Sequence, residues 1–189
     1  MNADIEKWDE RYRDAAERPP ARVLTENAHL LPAQGYALDV ACGLGSNALL
    51  LAERGLEAFA WDSSPVAVEK LKARALARGL AVHAEVRDVV QRPPEADRFD
   101  VIVVSRFLDR ELAPSLIDAL HHQGLLFYQT FTRTRLSESG PTNPDYLLAD
   151  GELLLLFAPL QPLVYREEGR VGDHGRGFRD EALLVAQKR

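Results

Sequence analysis

Residues 37–47 read Ala37-Leu38-Asp39-Val40-Ala41-Cys42-Gly43-Leu44-Gly45-Ser46-Asn47. This stretch places an acid near the end of a short apolar strand, then two glycines one residue apart, then the start of a helix. Because glycine has no Cβ atom, a turn built from it can adopt positive φ and let a ligand lie directly on the main chain. The first turn of the following helix adds N–H groups that have no partner within the helix. The stretch therefore predicts a cofactor site made largely of backbone.

The length and composition favour one domain and argue against several kinds of partner. A chain of 189 residues can bury a substantial core without disulfides or metals. We expect a single domain over residues 1–189, in which N-terminal helices in 1–34 form a cap and 36–189 form the sheet core. A formal net charge of -6 and a pI near 5.4 argue against nucleic acid or an anionic membrane, since both select dense positive charge. We expect no metal site.

The cysteine content and the apolar runs bear on location. Cys42 is the single cysteine and cannot form an internal disulfide, which fits a reducing compartment. No run approaches 18 apolar residues, and the N-terminus lacks the charged-then-apolar layout of a signal peptide. We therefore expect a cytoplasmic protein with no membrane partner, either a monomer or a homodimer.

Outward from the loop, the apolar pattern predicts strands that alternate with helices. The unbroken apolar run 101–104 is typical of a central strand covered on both faces. The last two strands have no helical pattern between them and must pair antiparallel. The pattern predicts an α/β fold, a doubly wound, mostly parallel seven-stranded sheet with an antiparallel C-terminal hairpin. The predicted strands are 36–40, 57–61, 82–86, 99–104, 125–131, 161–167 and 181–186, and the predicted helices are 5–15, 22–30, 44–54, 64–78, 114–124 and 151–157.

Three carboxylates follow or end the first three predicted strands. Ligands of open α/β sheets bind outside the carboxyl ends of the strands, where the strand order reverses. Asp39 is placed to steady the glycine loop and offset an ammonium group, Asp62 to accept hydrogen bonds from ribose hydroxyls, and Asp88 to accept one from an exocyclic amine. Such charge-assisted hydrogen bonds are about twice as strong as neutral ones. The carbonyl groups of Ser105 or Arg106 could complete the ammonium site.

This order of parts resembles the class I S-adenosylmethionine-dependent methyltransferases, in which an acidic residue precedes a Gly-x-Gly loop and another ends the second strand. The resemblance implies a Rossmann-like fold, S-adenosylmethionine as the cofactor and direct methyl transfer. It also implies cofactor-binding roles for ten residues. They are Asp39, Ala41, Gly43, Gly45, Asn47, Asp62, Ser63, Asp88, Val89 and Ser105.

Shorter motifs look like those of the tellurite-resistance methyltransferases. They are Gly43-Leu44-Gly45-Ser46-Asn47, Ala60-Trp61-Asp62, Gly151-Glu152-Leu153 and the ending Ala182-Leu183-Leu184-Val185-Ala186-Gln187-Lys188-Arg189. This narrower resemblance implies a small anionic acceptor such as a tellurite- or selenite-like oxyanion. That family carries histidine and arginine in the loop before the last strand, which implies catalytic roles for His174 and Arg176. Arg106 joins them because the planar fork of arginine suits oxyanions.

Two features depart from these families. Ala41 stands where the superfamily usually has its first glycine, and we expect a tighter loop that still binds the cofactor. The segment 133–150 does not match the tellurite-resistance group, which leaves the acceptor open.

Trp8 and Tyr12 share one face of a predicted helix. They either pack into the core or cover the cofactor, and we favour the second interpretation.

Alternatives to a small-molecule methyltransferase remain. A nicotinamide dinucleotide site also follows a first strand. Its fingerprint requires a third glycine, or a small substitute, three residues after the second glycine, and Ala48 stands at that position as a marginal substitute. Asp39 would also place negative charge near a pyrophosphate, so we favour the methyl donor. A methyltransferase that acts on RNA or protein, and a non-catalytic S-adenosylmethionine-binding module, both stay open.

Overall fold

Helices and strands alternate along the chain in a computed structural model that describes residues 2–189, with side chains from Ile5 onward. The elements are α1 (Asn2–Arg13), α2 (Arg22–Glu26), β1 (Tyr36–Val40), α3 (Ser46–Glu53), β2 (Glu57–Asp62), α4 (Pro65–Ala77), β3 (Val82–Val86), β4 (Phe99–Ser105), α5 (Ala113–Ala119), β5 (Leu120–Phe131), α6 (Glu152–Leu156), β6 (Gln161–Arg166) and β7 (Glu181–Gln187).

The strands form one seven-stranded sheet in the order β3-β2-β1-β4-β5-β7-β6. The neighbouring strands from β3 to β5 are parallel, whereas β7 runs antiparallel to both β5 and β6. The strand order reverses at β1, which lies between β2 and β4, so the loop after β1 sits where such sheets bind ligands. The predicted doubly wound, mostly parallel sheet with an antiparallel C-terminal pair is confirmed.

Strand β4 is buried on both faces, as its apolar run predicts. Residues 101–104 are 0% exposed. Val101 and Val103 pack with residues of α2 and α3, and Ile102 and Val104 pack with residues of α5 on the other face. Full burial of such side chains stabilises the fold by about 1.5–3 kcal/mol each, so the middle of the sheet is a rigid base for the edge that carries the loops.

The boundary between α5 and β5 was predicted wrongly. The helix ends at Ala119 rather than near Gly124, and β5 begins at Leu120. His121 therefore lies on a strand, where its ring nitrogens are 3.1 Å from Asp100 Oδ1 and 3.1 Å from the Asp97 carbonyl oxygen. The pairing of β4 with β5 shifts register after Leu120, and this irregular pairing accommodates the extra residues.

The N-terminal region is also less regular than predicted. Helix α2 ends at Glu26 and is followed by a 3-10 turn at Ala28–Leu30, because the Asn27 side chain bonds back to the Val23 carbonyl oxygen at 2.9 Å.

Residues 87–98, between β3 and β4, contain no helix. Among residues 2–189, no helix combines the length and apolarity needed to cross a membrane.

Candidate functional site

The loop after β1 follows the path that its glycines predict. Ala41, Gly43 and Gly45 have φ values of +50°, +53° and +74°. Cys42 N donates to the Trp61 carbonyl oxygen at 3.0 Å, and Gly45 N donates to the Cys42 carbonyl oxygen at 2.9 Å. Ala41 thus adopts a left-handed conformation that costs an L-residue about 1–2 kcal/mol. We call residues 41–45 the donor loop.

Two close approaches explain why the donor loop needs both glycines. A Cβ atom on Gly45 would lie 2.3 Å from Leu71 Cδ1 of α4. A Cβ atom on Gly43 would lie 2.9 Å from the Tyr12 hydroxyl oxygen of α1. Both distances are far below van der Waals contact, so the donor loop is packed against α4 below and α1 above.

Asp39 holds the start of α3 against the donor loop. Its side chain is fully buried, Oδ1 accepts from Asn47 Nδ2 at 3.2 Å, and Oδ2 accepts from Ala48 N at 3.1 Å. Burial raises the pKa of Asp39 to about 7, although the two hydrogen bonds favour the charged form. No cationic side chain lies within salt-bridge distance of Asp39 among the described side chains. These bonds fix the first turn of α3 directly after the donor loop, and the predicted contact of Asp39 with a cofactor stays a prediction.

Asp62 ties the donor loop to the start of α4. Its side chain is 5% exposed, Oδ2 accepts from Gly43 N at 2.8 Å, and Oδ1 accepts from Ser64 N at 2.9 Å. Burial raises the pKa of Asp62, and the nearby carboxylate of Asp9 adds to the effect. Within residues 5–189, Asp62 also has no ion pair. The donor loop is therefore flanked by two buried carboxylates without a cationic partner.

The third predicted acid lies in a turn at the same edge of the sheet. Asp88 is half-buried, and its Oδ1 accepts from Val90 N at 3.0 Å and Gln91 N at 3.3 Å. Val89 is 5% exposed, and Ser63 is half-buried beside Asp62. The structure brings these residues to the predicted edge, and their contacts with a cofactor stay predictions.

Asn47 has contacts that the sequence did not predict. Its Oδ1 accepts from Ala21 N at 2.8 Å, while Nδ2 donates to Asp39 and, at 3.0 Å, to the Ser105 hydroxyl. Both amide hydrogens are engaged within the protein. Asn47 therefore links the donor-loop side of the sheet to α2 and to the end of β4, and its predicted cofactor contact stays untested.

Helix α1 lies over the donor loop. Trp8 and Tyr12 stack with their ring centroids 5.8 Å apart, and burial raises the pKa of the Tyr12 hydroxyl, with Asp62 contributing. Lys70 Nζ of α4 donates to the carbonyl oxygens of the last two residues of α1 at 2.7 and 2.5 Å. Asp9 accepts a hydrogen bond from the Ser64 hydroxyl. These contacts dock α1 on α4 beside the donor loop, and the role of α1 as a cover over a cofactor stays a prediction.

The loop between β6 and β7 reaches the same edge, because Glu181 at its end pairs with Phe131 at the end of β5. His174 and Arg176 are exposed in this loop. His174 Nε2 is 2.7 Å from the Arg170 carbonyl oxygen, and the Arg176 guanidinium has no hydrogen bond or ion pair among the described side chains. Arg106 lies on a different element, directly after β4. Its Nε is 3.2 Å from Oε1 of Glu181, with which it forms an ion pair. The structure does not bring Arg106 into contact with His174 or Arg176.

The end of the segment 132–150 is anchored by contacts of Arg110 that the sequence did not reveal. Arg110 Nε is 2.6 Å from Glu152 Oε1, and the same guanidinium donates to the carbonyl oxygens of Asp145 and Leu147 at 2.6 and 3.1 Å. The guanidinium of Arg110 lowers the pKa of Glu152. The sequence marked Glu152 only as part of a motif, because its partner lies 42 residues away.

Comparison with known proteins agrees with this geometry. Residues 37–122 match a methyltransferase domain family. This match and the order of the sheet agree with the predicted class I S-adenosylmethionine-dependent methyltransferase fold. Ubiquinone biosynthesis O-methyltransferase of Xanthomonas axonopodis pv. citri is 30% identical over 138 residues, which cover 67% of this chain and 56% of that protein.

Two further similarities are informative. The 2-heptyl-1-hydroxyquinolin-4(1H)-one methyltransferase of Mycobacteroides abscessus is 39% identical over 72 residues, 38% of this chain and 32% of that protein. The chain thus spans about half, or less, of the length of these curated relatives. The crystal structure of TehB from Haemophilus influenzae superposes with a TM-score of 0.71 at 20% identity, covering 98% of this chain and 67% of that chain. At that identity the likeness shows the fold.

Proposed function

We propose that this chain transfers a methyl group from S-adenosylmethionine to a nucleophilic atom of a small molecule. The observation that carries the proposal is the pair of buried carboxylates, Asp39 and Asp62, that flank a backbone loop without a cationic partner. Burying an unpaired carboxylate is costly, and a cationic ligand relieves that cost. S-adenosylmethionine carries both a sulfonium and an ammonium group, whereas the pyrophosphate of a dinucleotide would add like charge.

In the proposed mechanism the protein binds and aligns the reactants. S-adenosylmethionine supplies an already activated methyl group on its sulfonium. Asp62 offers its oxygens to the ribose, and Asp88 with Val89 flanks the base. The donor loop and the carbonyl of Ser105 orient the amino-acid end. Well-aligned proximity of this kind contributes on the order of 7–11 kcal/mol to lowering a barrier.

Calorimetric titration tests the cofactor assignment. We expect S-adenosylmethionine and S-adenosylhomocysteine to bind the wild-type protein, and Asp62→Ala to weaken both by about 10-fold or more, because hydrogen bonds to a carboxylate are lost. Asp118→Ala, which removes an exposed carboxylate from α5, serves as the control and should leave the affinity unchanged. Binding of NAD without binding of either sulfur ligand would contradict the proposal.

The acceptor is proposed to be a small anion, with a tellurite- or selenite-like oxyanion as the first candidate. The motifs that resemble those of tellurite-resistance methyltransferases support this acceptor. Arg106 and Arg176, near the carboxyl edge of the sheet, support it as well. The two relatives are named for ubiquinone biosynthesis and for a hydroxyquinolinone, which are small molecules, and this favours a small-molecule acceptor over RNA or protein. His174 and Arg176 are proposed to hold the oxyanion, together with Arg106.

Headspace analysis tests the oxyanion. We expect volatile methylated product when the protein is incubated with S-adenosylmethionine and tellurite or selenite, and less product from His174→Ala. Absence of product from a protein that binds the cofactor would exclude the oxyanion acceptor. Methylation of bulk RNA or protein would favour a macromolecular substrate, and tight cofactor binding without turnover on any acceptor would favour a non-catalytic module.

A further inference from the structure

Gln129 of β5 is a buried amide whose orientation is set by the backbone. Its side chain is 1% exposed, and its Oε1 accepts from Val23 N, at the start of α2, at 2.7 Å. The amide nitrogen must then point the other way, where it donates to a carboxylate oxygen of Glu181. Gln129 therefore fixes the position of the Glu181 carboxylate.

Glu181 in turn holds Arg106 by one nitrogen only. The Glu181 side chain is 11% exposed, and its second oxygen accepts from Arg106 Nε at 3.2 Å. The two terminal guanidinium nitrogens of Arg106 have no partner among the described side chains, and the side chain is 35% exposed. Two parallel donors at the end of a fixed guanidinium match the two oxygens of a carboxylate or similar anion.

The backbone of Arg106 lies at the carboxyl edge of the sheet next to the donor-loop side, and its guanidinium reaches Glu181 at the start of β7. Arg106 follows Ser105 at the end of β4, and the Ser105 hydroxyl accepts from Asn47 at the start of α3. Its φ of +55° is uncommon for a residue with a side chain, and it is held by a hydrogen bond from Arg106 N to the Gln129 carbonyl oxygen at 2.8 Å. The backbone fixes the direction in which the Arg106 side chain leaves the main chain, and the ion pair with Glu181 fixes the guanidinium.

We propose that Gln129 and Glu181 are positioning residues that present the terminal nitrogens of Arg106 to the methyl acceptor, so that the acceptor carries a carboxylate-like anion close to the atom that is methylated. This inference rests on the proposed function. It adds two residues that the sequence patterns did not single out. Arg106 makes the contact, and Gln129 and Glu181 act through it.

Binding to the protein saturated with S-adenosylhomocysteine tests the inference without the need for turnover. The probes are benzoate and benzamide, its uncharged counterpart of nearly equal shape. We expect benzoate to bind at least 10-fold more tightly than benzamide and to shift the Arg106 side-chain resonances in nitrogen-15 NMR spectra. Arg106→Gln should remove the preference for benzoate. Arg54→Gln, which removes an exposed arginine at the end of α3, should keep it.

Gln129→Leu tests the positioning role. Without the amide, Glu181 is free to turn both oxygens onto the terminal nitrogens of Arg106, so we expect benzoate to bind about 10-fold more weakly while S-adenosylhomocysteine binds as before. A purely structural role for Gln129 would lower the thermal midpoint and leave the preference for benzoate intact. Equal binding of benzoate and benzamide by the wild-type protein overturns this inference alone. Failure to bind S-adenosylhomocysteine overturns the proposed function as well.

Discussion

Ala41 occupies a left-handed conformation in which glycine is the residue without strain. We expect Ala41→Gly to raise the free energy of unfolding by about 0.5–1 kcal/mol, since relief of the strained φ exceeds the entropy that glycine adds to the unfolded chain. Urea unfolding measures the change. Ala73→Gly, at an exposed position inside α4, is the matched control and should lose about 1 kcal/mol. Equal losses in both variants would show that Ala41 is unstrained.

Asp39 is expected to make stability depend on pH. Its pKa is about 7 in the folded protein and 3.8 in an unperturbed aspartate, so between these pH values the folded state binds a proton that the unfolded state does not. Stability therefore falls as the pH rises from about 4 to 7 and then levels off. Urea unfolding of the ligand-free protein at pH 5 and pH 8 should show this loss, and Asp39→Asn should reduce it by about 1–3 kcal/mol. The same pH dependence in both proteins would contradict the expectation.

Single residues differ in how far the sequence reveals their roles. The path of the donor loop and the positions of its two flanking acids were predictable, because the Gly-x-Gly turn and the strand ends are visible in local stretches of the sequence. Gln129 and Glu181 were not predictable. Glutamine and glutamate are common residue types, and these two meet only because β5 and β7 pair in one particular register.

Helix α1 is held over the donor loop by a small number of polar contacts. Lys70→Met should loosen it, because the ammonium group bonds to the last two carbonyl oxygens of α1. We expect backbone amides of residues 5–13 to exchange hydrogen about 5-fold faster, which corresponds to a loss of about 1 kcal/mol. Lys72→Met is the control, since Lys72 pairs with Glu69 within α4. Equal exchange rates in both variants would refute the docking role of Lys70.

Among the elements, the strands were predicted more accurately than the ends of the helices. Strand β3 matches its predicted range, and β4 differs by one residue. The boundary of α5 failed because Leu120 to Gly124 reads equally well as the last turn of a helix closed by glycine. What turns these residues into a strand is the pairing of Leu120 with Phe99, a contact that no local pattern contains.

The parallel sheet gathers the site at the scale of the whole molecule. Parallel strands direct their carboxyl ends to one edge, so Asp39 near the end of β1 and Asp88 just after β3 lie at the same edge although they are 49 positions apart. That gathering was predictable from the alternation of strands and helices. The positions of α1 and of the segment 132–150 were not predictable, because both depend on long-range side-chain contacts such as Arg110 with Glu152.

The two buried acids beside the donor loop also have a consequence for the survival of the protein in a cell. Under the proposed function, the methyl donor supplies the positive charge that the folded chain lacks, and any ligand that binds only the folded state stabilises it in proportion to the logarithm of its concentration. Proteases attack the transiently unfolded chain. The lifetime of this protein would then lengthen when the methyl donor is plentiful and shorten when it is scarce, which couples the amount of enzyme to the supply of its own reagent.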